Sequence, residues 1–204
     1  MKKEYYFPTP VWYMEKSEWL NDLISYTDKY IDNVKNKNTK LFINNKDFGI
    51  THHSDPLEFD ENFKEFSKFI CRTSMDLLNE QGYDVEFYNL VINSLWVQEF
   101  SKEGGGHHNS HVHSNSHISG FYFLKCSEKT SFPMLHDSRL NKRMIQLLEK
   151  DENIITDSSD KIMIKPKPGL FMFFPSYLEH EFVVDHGIEP FRFIHFNIQA
   201  FPKK

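Results

Sequence analysis

Five of the chain's eleven histidines, His107, His108, His111, His113 and His117, fall within an eleven-residue span. Imidazole is both a proton carrier near neutral pH and a frequent transition-metal ligand, so chemistry is to be sought there first. His111 and His113 stand two apart. On a β-strand successive side chains alternate, so both rings would leave one face while Val112 turns to the other, and two rings on one face can hold one cation. A solvated, histidine-rich loop would have the same composition, and the pair alone does not separate the two readings. A second element does more. Residues 169–180 read as a buried apolar strand, a turn at Pro175-Ser176, and then His180 opening the next strand. A third imidazole delivered from a distant strand makes a facial set of three ligands, with open positions opposite for substrate and oxygen. The plainer alternative for His180 is a strand-end histidine satisfied by a backbone carbonyl.

Arg192 lies twelve residues past His180 and shares its parity with Ile194, Phe196 and Ile198. An arginine on that apolar face is a buried cation in need of an anion. A guanidinium grips a carboxylate through two parallel hydrogen bonds, so a dicarboxylate held between metal and arginine would satisfy both ends. An internal carboxylate such as Glu99 or Asp137 would satisfy it equally.

Several elements are needed to position these groups. Residues 5–11 read as an extended strand, because Pro8 and Pro10 bias their predecessors away from helix. Leu20, Leu23, Ile24 and Ile31 recur at helical spacing after a candidate N-cap at Ser17, giving a helix to about Val34. A second helix begins near Asp60, carries Phe63, Phe66, Ile70 and Leu77 on one stripe, and stops at Gly82. From Val85 the period becomes strand-like: residues 85–100, 118–126, 161–165, 170–174, 181–184 and 191–201, with a weak helical pattern over 139–150. Two helices followed by about eight strands predict a mainly β fold, a sandwich or jelly roll with the N-terminal helices packed on one sheet. Residues 1–84 would form the helical support and 85–204 the β core of one domain.

The chain has 204 residues, 39% of them hydrophobic and 26% charged, which excludes disordered and fibrous classes. No apolar run approaches the roughly 20 residues that span a bilayer. Residues 1–10 lack the apolar stretch of a signal peptide. A net charge of -5 argues against non-specific nucleic-acid binding. Cys71 and Cys126 have no redox or metal spacing, so a reduced, cytoplasmic compartment is expected. His107, His108 and His117 are assigned to loop or rim, His52-His53 to a solvated loop, and His195, of opposite parity to Arg192, to structure.

In the order and spacing of these motifs the chain resembles the Fe(II)/2-oxoglutarate-dependent oxygenase superfamily, and within it a marine bacterial and phage branch distantly related to prolyl hydroxylases. The matching features are Phe7 to Pro10, Trp96 on a strand, His111 and His113 followed by Ser119, Gly120 and Tyr122, the block from Pro168 through Phe174-Pro175-Ser176 to His180, and Arg192 followed by Phe196-Asn197. The resemblance implies a double-stranded β-helix, cupin-like, with Fe(II) in its mouth on His111, His113 and His180. It implies 2-oxoglutarate as cosubstrate, gripped by Arg192 with contacts from Trp96 and Tyr122. It also implies oxygen-dependent hydroxylation of a small-molecule or peptidyl substrate with release of succinate and CO2. The oligomeric state, a homodimer included, is left open.

Two departures bear on this. Most of the superfamily carries an acid where His113 stands, and three neutral imidazoles leave a site more cationic. Either His113 is a ligand or it stands behind a carboxylate from elsewhere, Asp137 being the first candidate. Phe123 also follows Tyr122 where the branch commonly has a second tyrosine. Three alternatives accompany the resemblance: a cupin-like three-histidine iron dioxygenase without 2-oxoglutarate, a non-catalytic binding module on the same fold, and a zinc hydrolase.

Overall fold

Along residues 121–124, Phe, Tyr, Phe and Leu alternate in direction, yet all four are buried. A strand with two apolar faces has to lie between two layers. The computed structural model, which describes residues 1–39, 46–145 and 147–203, supplies both.

One layer is a six-stranded antiparallel sheet and the other a four-stranded one. In chain order the strands are β1 (Trp12–Glu15), β2 (Thr51–His53), β3 (Tyr88–Phe100), β4 (His108–His111), β5 (Ile118–Lys125), β6 (Pro133–His136), β7 (Lys161–Met163), β8 (Leu170–Pro175), β9 (His180–Phe182) and β10 (Arg192–Pro202). The large sheet runs β1-β8-β5-β10-β3-β2 and the small one β4-β9-β6-β7. This is a double-stranded β-helix of jelly-roll type. The helices α1 (Leu20–Asn38) and α2 (Lys64–Glu80) pack on the outer face of the large sheet.

Two cores result. Between helices and sheet lie Leu23, Ile31, Phe66, Ile70 and Leu77, with Leu95, Val97, Tyr122, Leu124, Phe171, Phe173, Ile194, Phe196 and Ile198. Between the two sheets lie Phe100, Phe121, Phe123, Met172, Phe174, Phe182, Phe191 and Phe193. Each central strand feeds both cores with alternate residues. No described helix is long and apolar enough to cross a membrane. Both cysteines are free.

The two helices form where expected. Asp60 caps the turn before α2, its side chain accepting from the Asn62 N–H at 2.9 Å, and Gly82, with φ of 91°, ends the helix region. Three expectations are corrected. Residues 5–11 are not a strand; pairing begins at Trp12, past Pro8 and Pro10, which have no N–H to donate. Among the described residues of 139–150, a short 3-10 turn, Leu140–Met144, is the only helical element, and Leu147 and Leu148 face solvent. His52 and His53 are on β2 and not in a solvated loop. His52 is fully buried, with Nε2 3.0 Å from Asp47 Oδ1.

Gly120, on β5, shows how tightly the helix-side core closes. A Cβ there would run into the Phe196 ring and would lie 2.5 Å from the Met172 carbonyl oxygen, which cannot move away. Gly120→Ala should therefore destabilise by about 1–3 kcal/mol. For a chain of this size that lowers Tm by roughly 2–12 °C in a thermal melt. An unchanged Tm would mean the neighbours yield freely.

Candidate metal centre

β4 and β9 pair so that the Cα of His111 stands opposite that of His180. Their rings meet with centroids 4.5 Å apart. His113 lies just past the end of β4, so the strand periodicity expected to align it with His111 does not apply. Its place is set by its N–H, which donates to the Ser176 carbonyl at 3.0 Å. The ring nonetheless turns inward, with centroids 5.0 Å from His111 and 5.1 Å from His180. One nitrogen from each of the three rings falls within 4.8 Å of the others, the geometry of a group able to hold a metal ion.

Hydrogen bonding decides which nitrogens are available. His111 Nδ1–H donates to the Asn109 carbonyl at 2.7 Å and His180 Nδ1–H to the Leu178 carbonyl at 2.9 Å. Carbonyls only accept, so both rings carry the proton on Nδ1 and keep a lone pair on Nε2. The Nε2 of His180 is buried and has no protein partner among the described residues. A bare, buried lone pair costs free energy, which a bound cation would recover.

The surroundings hold His180 and His113 neutral. Burial first, and the neighbouring histidines after it, push His180 down to about 3, the Leu178 carbonyl opposing only part of this. Burial, and after it the crowding of neighbouring imidazoles, push His113 down to about 4. At neutral pH both therefore present lone pairs, the form a metal requires. Phe121 and Phe174 close the inner side, with centroids 5.7 and 4.8 Å from His180.

Of the other residues singled out from the sequence, Trp96 does reach this face. Its ring is stacked between His53, at 4.7 Å, and His195, at 4.3 Å. Arg192 does not. It is buried on the opposite face of the large sheet, donating from Nε to Glu99 at 2.6 Å and from Nη1 to Asp28 of α1 at 2.5 Å. Its parity does point inward, but into the helix-side core, and the internal anion is Glu99. Tyr122 likewise faces the helices, its hydroxyl donating to the Lys16 carbonyl at 2.7 Å, away from the histidines. Asp137 is bound by Arg139 and Lys142 and is no part of the histidine group.

His195 was assigned to structure and instead reaches the site. Its Nε2 lies 3.1 Å from the Nε2 of His113. The motif residues Ser119, Ser176 and Asn197 also converge behind His113. Ser119 Oγ donates to Asn197 Oδ1 at 2.6 Å and lies 2.7 Å from Ser176 Oγ. Their small polar side chains inside otherwise aromatic strands were the available signal.

Comparisons with known proteins agree with this geometry. A family model described as "Putative 2OG-Fe(II) oxygenase" matches residues 94–197, just over half of the chain and a span containing all three histidines. No curated protein matches. Among solved structures, AviO1 from Streptomyces viridochromogenes superposes with a TM-score of 0.62 at 9% identity, covering 96% of this chain and 93% of that one. A prolyl-4-hydroxylase from Pseudomonas putida gives 0.59 at 9%, covering 96% and 94%. SnoN, a non-heme alpha ketoglutarate dependent epimerase from nogalamycin biosynthesis, gives 0.57 at 7%, covering 96% and 82%. At these identities the likeness is one of fold.

Proposed function

Because the chain belongs to the 2OG-Fe(II) oxygenase family, and is thereby an oxidoreductase, we propose that it is an Fe(II)- and 2-oxoglutarate-dependent dioxygenase that hydroxylates a small-molecule or peptidyl substrate, releasing succinate and CO2. The observation that carries this is the convergence of His111, His113 and His180, together with the buried, unpartnered Nε2 of His180. These three side chains would hold the iron. Imidazole suits Fe(II), and the donor set fits. When bound, the metal and its cosubstrate supply the activation of oxygen that couples decarboxylation to hydroxylation.

The protein's own share is orientation and exclusion of water. The backbone carbonyls of Asn109 and Leu178 fix two rings with Nε2 toward the site. The phenylalanines between the sheets keep solvent from the inner side of His180. A cytoplasmic location accords with the free thiols of Cys71 and Cys126.

One observation favours a second reading, a three-histidine iron dioxygenase without 2-oxoglutarate. Arg192, the cation that would grip the far carboxylate, is occupied by Glu99 and Asp28. Titrating the anaerobic Fe(II) protein with 2-oxoglutarate separates the two. Chelation should give a visible charge-transfer band, and admitting oxygen should then yield succinate above background. Iron binding with neither band nor succinate would discard the cosubstrate and leave the second reading.

A further inference from the structure

Two of the three clustered rings are oriented alike, each by a carbonyl two residues earlier in the chain. His113 is held differently, because it lies beyond β4 and its own N–H is spent on Ser176. Its Nε2 stands 3.1 Å from the Nε2 of His195, and its Nδ1 stands 3.5 Å from Nδ2 of Asn197. We propose that His195 is the positioning residue of His113: its Nε2 accepts from the Nε2–H of His113 as main-chain carbonyls accept from the Nδ1–H of His111 and His180, fixing that ring's rotation and leaving its lone pair on Nδ1. This rests on the reading of His113 as a metal ligand.

His195 is suited to the task because it cannot itself turn. It is buried in β10, directly across from Trp96 on β3 and from Phe121 on β5. Its ring stacks on Trp96 at 4.3 Å with planes 26° apart and meets Phe121 at 5.2 Å. His53 backs Trp96 from the other side at 4.7 Å. The ring is therefore a rigid post. Asn197 leaves the other nitrogen free: its Oδ1 is taken by the Ser119 hydroxyl and its Nδ2 donates to Ser94 Oγ at 2.8 Å, while its 3.5 Å to His113 Nδ1 is too long for a hydrogen bond, so that lone pair stays open to a metal. Partners that orient ligating histidines are worth about 10–100-fold in metal affinity.

The test uses Co(II) alone as probe, titrated into the full chain and followed by its visible absorption. His195→Phe keeps a flat ring against Trp96 and removes the nitrogen. His195→Gln returns a side-chain amide near the position of Nε2. The Phe variant should bind Co(II) about 10–100-fold more weakly with an altered spectrum, and the Gln variant should recover most of the loss. Unchanged affinity and spectrum in His195→Phe, or equal losses in both variants, would overturn the proposal, the latter because packing alone would explain it. Long-range 1H–15N correlation on the metal-free chain gives an independent reading. His113 should show one tautomer in the wild type and a mixture in His195→Phe, and a single tautomer retained in the variant would also overturn it. Should the wild type take up no Co(II), the ligand assignment fails on its own, while the tautomer experiment still decides whether His195 governs His113.

Discussion

His180→Ala should reduce affinity for Fe(II) or Co(II) by at least about 100-fold. Structural metal sites bind with about 10–16 kcal/mol over four ligands, so one ligand is worth about 3 kcal/mol, and each 1.4 kcal/mol is a factor of ten. His180 is the deepest of the three rings, and its free nitrogen is buried without a protein partner among the described residues. The same loss is expected for His111→Ala, a half-buried position where little packing is disturbed. His113 admits a sharper comparison. His113→Ala should lose metal, whereas His113→Asp, which restores an acid at this position, should keep it. Metal titration with a thermal melt on each variant reads the outcome. Undiminished affinity in either His111→Ala or His180→Ala would remove that ring from the ligand set.

The second large effect concerns stability. Arg192→Met should destabilise the chain by about 3 kcal/mol, at the lower end for a broken buried pair because Lys35 still contacts Glu99. That lowers Tm by roughly 6–12 °C. Removing both partners, in Arg192→Met/Glu99→Leu, should recover most of the loss, since an apolar pair of similar volume can replace a buried ion pair. Burial alone would push the Glu99 carboxyl up, but Arg192 and Lys35 together outweigh it and hold it below its ordinary 4.5. Its stabilisation is therefore complete above about pH 4.5 and is lost as pH falls through the lowered value. The double variant should show a flatter acid limb than the wild type. With the guanidinium on the helix side, neither variant should change the apparent KM for 2-oxoglutarate. A strongly raised KM at unaltered stability would return Arg192 to the cosubstrate.

What could be read from the sequence, and what could not, follows from the two-sided burial of the large sheet. His111 and His180 were legible because residue type and the Pro175-Ser176 turn identify them without knowledge of direction. Arg192 was legible as a buried cation but not as to which core it entered, because parity distinguishes two faces without saying what covers each. Glu99 stands opposite it on β3, a register visible only once β3 and β10 are paired. His195 was set aside on the same parity, although the face opposite Arg192 is the one that carries the site. Tyr122, expected to contact the cosubstrate, supports the helices for that reason, and its neighbour Phe123 is the one that fills the space between sheets. The helix expected over 139–150 rested on Met144, Leu147 and Leu148, whose spacing is helical but whose side chains face solvent. Periodicity records what a segment can bury, and the rest of the chain decides whether anything is there to bury it against.

β10 already contains irregularities, against β5 between Arg192 and Phe193 and against β3 between Asn197 and Ile198. One codon gained or lost between them would rotate the upstream half of the strand by half a turn relative to the downstream half. Arg192 would then turn to the face of the sheet that carries the histidines, and Glu99 and Asp28 would lose their counterion. Among descendants of this gene, length changes in that short stretch, more than substitutions, are the mutational step that would trade a structural cation for a cosubstrate-binding one.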